Sequence, residues 1–336
     1  MRDARLLVRL LADPSGAGDV ADWTSLIAIA RAESLAGSLA WRLRGAQLPA
    51  RVEAMLEAAR RDGEAVRVQA LWEAEMARRA LAPLAVPVIL LKGTAYAAAG
   101  LEAGRGRSIG DLDILVPRAA LPDVERALLA AGWEWVKEDP YDDQYYRRWM
   151  HELPPLIHRE RDRMIDVHHS ILPLTARPKP DMAAMIADRV PLTDGLFTLS
   201  PADMIVHAAA HLFADGDLAG GLRNLWDIDR LLREFAGGDP GFEAALRDRA
   251  GQHGLLPAVA RAVRLARHIY KTPVRCRAPG SRVADRLYIR RLLARDGWAR
   301  QRRPVTRLGF YVRSHWLRMP PAMLARHLWV KARKRR

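Results

Sequence analysis

A chain of 336 residues, half of them hydrophobic, is long enough for about two domains and too apolar to remain disordered. Its single cysteine, Cys276, excludes an intrachain disulfide and a cysteine-based zinc site. The net charge of +15 belongs to one end: from Arg275 onward 19 Lys and Arg stand against two acids, giving +17 and leaving −2 for everything before. Any anionic partner is therefore a question for that segment alone.

The first residues, MRDARLLVRLLADPSG, scatter charges among apolar side chains and lack the unbroken apolar stretch of a signal peptide. The most apolar run, LAPLAVPVILL, is too short to span a bilayer and contains two prolines. Together these predict a cytoplasmic protein. Residues 1–83 read as a helical region: Trp23, Ile27, Leu35, Leu39 and Leu43 recur at helical spacings. GEAVRVQALWEAEMARRALAPL continues as a longer helix that ends near Pro83 and Pro87. The period then changes. VPVILL (86–91) is a short buried strand, TAYAAAGL a short helix, and the Gly- and Arg-rich EAGRGRSIG a loop. A strand follows in DLDILV, and Pro117 is expected in the first turn of a helix running to about Ala131. WEWVK reads as another strand, and LPPLIHRERDRMIDVHHSI as a hairpin turning at RERDR. From about Leu199 the chain is helical again, opened by the capping pattern SPAD at Ser200–Asp203. The expected organisation is an N-terminal helical region (1–83), a core with a sheet (84–198), a C-terminal helical region (199–274) and a basic tail rich in Arg and Trp (275–336).

Chemistry concentrates in RSIGDLDILV. Leu112, Ile114 and Val116 alternate on one strand face, which leaves Asp111 and Asp113 on the other with Leu115. Carboxylates at i and i+2 have Cα atoms ~6.5 Å apart. They repel unless a cation lies between them or one stays protonated. In the second arm of the hairpin Asp166, His168 and Ser170 share a face, opposite Ile165, Val167, His169 and Ile171. His207 and His211 stand at i and i+4 of a helix, the spacing of zinc-binding pairs. Histidines on an apolar helix are more often packed and hydrogen-bonded, so a structural or substrate-side role is preferred to zinc.

The succession LLKG…R…DLDILV…IDVHHSI…H…H…D over roughly residues 86–232 resembles the nucleotidyltransferase superfamily built on the DNA polymerase beta-like core. Within it, the phrasing is similar to the uncharacterised nucleotidyltransferase family often found in bacterial genomes. The resemblance implies an α+β fold with a small mixed sheet flanked by helices. It implies transfer of a nucleoside monophosphate from an NTP to an acceptor hydroxyl. Asp111, Asp113 and Asp166 would hold two magnesium ions, or manganese in their place, and Asp166 would also orient or deprotonate the acceptor. Such ions sit ~3.5–4 Å apart, and magnesium favours carboxylate and phosphate oxygens. Lys92 and Arg107 are the expected cations for the triphosphate. Gly93 and Thr94 begin a helix directly after a strand, where free backbone amides receive phosphate oxygens. His168, His207, His211 and Asp227 are candidate substrate-side residues. One departure concerns Thr94: the superfamily's usual Gly-Ser lies closer to the aspartate pair than Gly93-Thr94 does here. The acceptor (small molecule, peptide or protein, or RNA) and the choice of NTP are left open. The alternative readings are a non-catalytic relative that binds a nucleotide or a protein partner, and a membrane-surface protein anchored by its tail.

The tail interleaves arginine with Trp298, Phe310, Tyr311, Trp316 and Trp329. Three readings fit this pattern. The segment forms solvated helices that pack their apolar side on the core, or lies on an anionic membrane with tryptophan at the interface, or neutralises nucleic-acid phosphates while its rings stack on bases. The second would make a cytoplasmic protein peripheral to the membrane.

Overall fold

A computed structural model describes residues 4–318 and 329, apart from 138, 193, 194, 215 and 276–279. Four helices lead: α1 (Arg5–Ala12), α2 (Trp23–Ala32), α3 (Ala36–Arg42) and α4 (Ala50–Leu81). The Asp22 side chain caps α2 by accepting the Ser25 N–H at 2.9 Å. Helix α4 starts well before the expected GEAVRV segment and passes through Gly63, at a cost of about 1 kcal/mol. Glu57–Arg60, Glu64–Arg67 and Glu75–Arg78, each three residues apart, offset part of that cost.

The central segment alternates short strands and helices: β1 (Val88–Leu90), α5 (Lys92–Ala98), β2 (Leu112–Leu115), α6 (Leu121–Ala130), β3 (Trp133–Trp135), α7 (Pro140–Trp149), β4 (Leu156–His158), β5 (Met164–His168), α8 (Met182–Ala187), β6 (Val190–Pro191) and β7 (Leu196–Thr198). They form one seven-stranded sheet in the order β3-β4-β5-β2-β1-β7-β6. β2 runs parallel to β5, and β1 parallel to β7; the other neighbours are antiparallel. β1 and β2 lie at the centre and are buried throughout, as interior strands covered on both faces require. The hairpin turning at RERDR is β4–β5. Helix α3 packs close to the loop that leads into β2: a Cβ on Gly37 would collide with the carbonyl oxygen of Gly106. That contact helps to fix the approach to Asp111.

Two expectations need correction. Pro117 does not open α6. It precedes a single 3-10 turn at Arg118–Ala120, and α6 starts at Leu121, with Pro122 in the favoured first-turn position. Of two proline start signals, the second prevails. Strands β6 and β7 were not anticipated, because two or three residues are too few to display a period of two.

The rest is helical: α9 (Pro201–Ala214), α10 (Gly221–Gly238), α11 (Phe242–Gln252), α12 (Leu256–Tyr270), α13 (Arg282–Leu292) and α14 (Pro304–Arg318). Asp203, fully buried on α9, accepts two hydrogen bonds from Arg249 at 2.7 and 2.6 Å and lies 3.0 Å from Nε2 of His253, which fastens α9 to α11 and the residue following it. The tail helices bury Tyr288, Leu292 and Phe310 on the core and leave Trp316 exposed, as is Trp298 in the turn between them. Arg295 binds Glu33 at 2.6 Å, tying this segment to the N-terminal helices. Cys276 and the tail beyond 318, Trp329 apart, lie outside the described residues. Among the described residues no helix is long and apolar enough to cross a membrane.

Candidate active site

Strand register brings the aspartates together. On the adjacent parallel strands β2 and β5, Asp113 stands directly opposite Asp166. Partners in register point to the same sheet face across an interstrand gap of ~4.8 Å. Asp111 occupies the exposed bend before β2. One carboxylate oxygen from each of Asp111, Asp113 and Asp166 lies within 4.8 Å of the others.

Lys92 closes one side of this cluster. It follows β1 with a left-handed backbone (φ +49°), an uncommon state for a residue with a side chain and one found often at functional sites. Its Nζ donates to Asp113 Oδ1 at 2.6 Å, and Nε2 of His168 lies 3.0 Å from the same oxygen. Burial alone would push the Asp113 carboxyl up. The Lys92 and His168 contacts outweigh burial and hold it below the usual carboxylate range. Asp166 experiences the opposite balance. Burial, then the charges of Asp113 and Glu152, push its carboxyl up to about 7. Its Oδ1 is buried without a hydrogen-bond partner. A divalent cation among the three carboxylates would cancel the repulsion and satisfy carboxylate oxygens there. An all-oxygen donor set suits magnesium or manganese, so the residues present fit such an ion.

A cavity of ≈ 370 Å³ adjoins the cluster, lined by Lys92, Gly93, Asp111, Asp113, His211 and Arg223 among others. Arg107 also borders it, but its guanidinium is buried and Nε donates to Asp227 Oδ2 at 3.0 Å. Gly93 makes room for this pair, since a Cβ there would run into Nη1 of Arg107. Thr94 is buried at the start of α5. His207 is buried, and burial pushes its imidazole down to about 3, with the charges of Lys92 and His168 adding to the effect. Burial lowers His211 in the same way. Both rings are therefore neutral at pH 7, with centroids 6.5 Å apart. Asp227 on α10 serves Arg107. The structure thus gathers ten of the eleven residues singled out above at or beside one cleft, while Thr94 faces the interior.

Three residues of this neighbourhood escaped the sequence reading. Arg223 shares a helix face with Asp227 at i and i+4, a signal that was available. His151 and Glu152 precede the hairpin, and nothing in their local pattern marks them.

Carboxylates pair across β2 and β5, with Lys92 and Gly93 after β1 beside them, and a family match places the protein among nucleotidyltransferases, enzymes of nucleoside monophosphate transfer in general. The sequence profile of the uncharacterised nucleotidyltransferase family matches residues 19–271, well over half of the chain, and the chain belongs to that family. The match reaches from before α2 to the end of α12, and so includes helices on both sides of the sheet segment. No curated protein and no solved structure matches the chain.

Proposed function

We propose that the protein moves a nucleoside monophosphate from an NTP to an acceptor hydroxyl, with pyrophosphate leaving, at the cluster of Asp111, Asp113 and Asp166. The observation that carries this reading is the convergence of three carboxylates, one of which, Asp166, also has an oxygen buried without a hydrogen-bond partner. The three would hold two magnesium or manganese ions, which supply charge neutralisation at the triphosphate and activation of the nucleophile. Asp113, kept ionised by Lys92 and His168, gives the cluster a permanent negative charge. Asp166 would orient the acceptor hydroxyl and take its proton. Lys92 and Arg223 border the cavity and would bind triphosphate oxygens, with Arg107 behind Gly93 adding positive charge. Backbone N–H groups of Gly93 and Thr94 would contribute further donors. His211, on the cavity wall, and His207 and His168 behind it would shape the substrate side.

Thermal stabilisation by ATP, CTP, GTP and UTP, with and without magnesium, tests the reading. Stabilisation that requires the divalent cation is expected. Equal stabilisation in its absence would contradict a metal role for the aspartates. Binding without pyrophosphate release on any acceptor would favour the non-catalytic relative.

A further inference from the structure

Behind Asp113 a second set of ligand atoms converges on the far side of His168. The chain preceding β4 runs antiparallel along the end of β5. Leu153 N–H donates to Val167 O at 2.9 Å, and His169 N–H to His151 O at 2.8 Å. Glu152 is thereby set directly opposite His168, and residues so paired project to one face. His168 Nδ1 stands 3.4 Å from Glu152 Oε2, and His151 Nε2 stands 3.7 Å from the same oxygen. The two imidazole centroids are 5.3 Å apart. One nitrogen from each histidine and one oxygen of Glu152 all lie within 4.8 Å of one another.

One ligand atom of this arrangement, Nδ1 of His168, lacks a hydrogen-bond partner. Nε2 of His168 faces an ionised carboxylate oxygen at 3.0 Å and so carries the hydrogen. Nδ1, on the other side of the ring, stands 3.4 Å from the Glu152 oxygen. His168 is only 2 % exposed, and its Nδ1 is buried with no hydrogen-bond partner. A cation among these three ligand atoms would give Nδ1 a partner. The spacing suits one: metal–ligand bonds of about 2.0–2.2 Å at tetrahedral angles place ligand atoms roughly 3.3–3.5 Å apart. A metal-bound histidine commonly donates its other N–H to a carboxylate, and here Asp113 receives it. His151 and Glu152 are partly exposed, which leaves a route of entry.

We propose that His151, Glu152 and His168 form a binding site for a zinc-type transition-metal ion, distinct from the all-oxygen aspartate cluster and joined to it by the hydrogen bond from His168 to Asp113. Two imidazoles and one carboxylate select such an ion over magnesium and leave a fourth position for water. A cation on Nδ1 locks His168 in the form that donates to Asp113, so the site positions a residue of the aspartate cluster. The inference stands independently of nucleotide transfer.

Cobalt(II) is the probe, titrated into the full-length, metal-stripped protein without nucleotide. The expected result is the intense visible absorption of four-coordinate cobalt, lost on adding one equivalent of zinc and unaffected by excess magnesium. His151→Gln and Glu152→Gln should each remove the absorption while circular dichroism stays unchanged; Asp111→Asn should keep it. A wild-type protein with no such absorption would overturn the proposal. So would a band that survives both His151→Gln and Glu152→Gln, or one that Asp111→Asn abolishes.

Discussion

Replacing Asp166 by Asn is expected to stabilise the metal-free protein strongly at pH 8 and much less at pH 5. Burial and the neighbouring carboxylates raise the Asp166 carboxyl from its ordinary 3.8 to about 7. At about 1.4 kcal/mol per tenfold change in the proton equilibrium, ionising it in the folded protein costs about 4 kcal/mol more than in the unfolded chain. The sign follows from linkage. A folded-state value above the unfolded one gives a contribution that is complete below about 3.8 and lost as pH rises through about 7. The wild type therefore loses stability over that window. An amide cannot ionise, and the variant does not. Asp166 keeps some solvent contact, so a gain of about 2–4 kcal/mol at pH 8 is the realistic size. Urea unfolding in EDTA at pH 5 and pH 8 reads it directly. Magnesium should reverse the order at pH 8, because it stabilises only the carboxylate cluster that can hold it. A variant less stable than wild type at pH 8 in EDTA, or a difference independent of pH, would refute the electrostatic account of this residue.

The neighbouring residues carry their own tests. Gly93→Ala drives a methyl into the buried Arg107 guanidinium, which Asp227 holds in place; overpacking of this kind costs about 1–3 kcal/mol, and an unchanged urea midpoint would contradict the packing described. Arg107→Met leaves Asp227 buried without its cation and is expected to lower stability by about 3–5 kcal/mol. The double variant Arg107→Met with Asp227→Leu should recover most of that loss, and additive losses in the same unfolding assay would show that the pair is not coupled.

Much of the architecture was legible because it depends on local periodicity. The shift from helical spacing to the buried run VPVILL marks β1, and the alternation in DLDILV and MIDVH fixes which faces Asp113 and Asp166 occupy. That the two strands are parallel neighbours in register is a long-range fact. No spacing within either strand contains it, and only the family resemblance supplied it. The same limit explains Arg107. As the nearest upstream cation it reads as a phosphate ligand, yet its partner Asp227 lies 120 residues away in the chain. Glu152 and His151 reach the site by an isolated bridge to the end of β5, a contact that leaves no imprint on local sequence. The tail shows the converse. Its arginine-aromatic alternation fitted packing on the core as well as a surface for anions, and the structure buries Tyr288, Leu292 and Phe310 on the core.

The central claim is that Asp111, Asp113 and Asp166 act together on a metal-bound nucleotide, and Asp113→Asn tests it most directly. Magnesium-dependent release of pyrophosphate from NTP should vanish in the variant while its circular dichroism matches wild type. Undiminished release by a correctly folded Asp113→Asn protein would contradict the account.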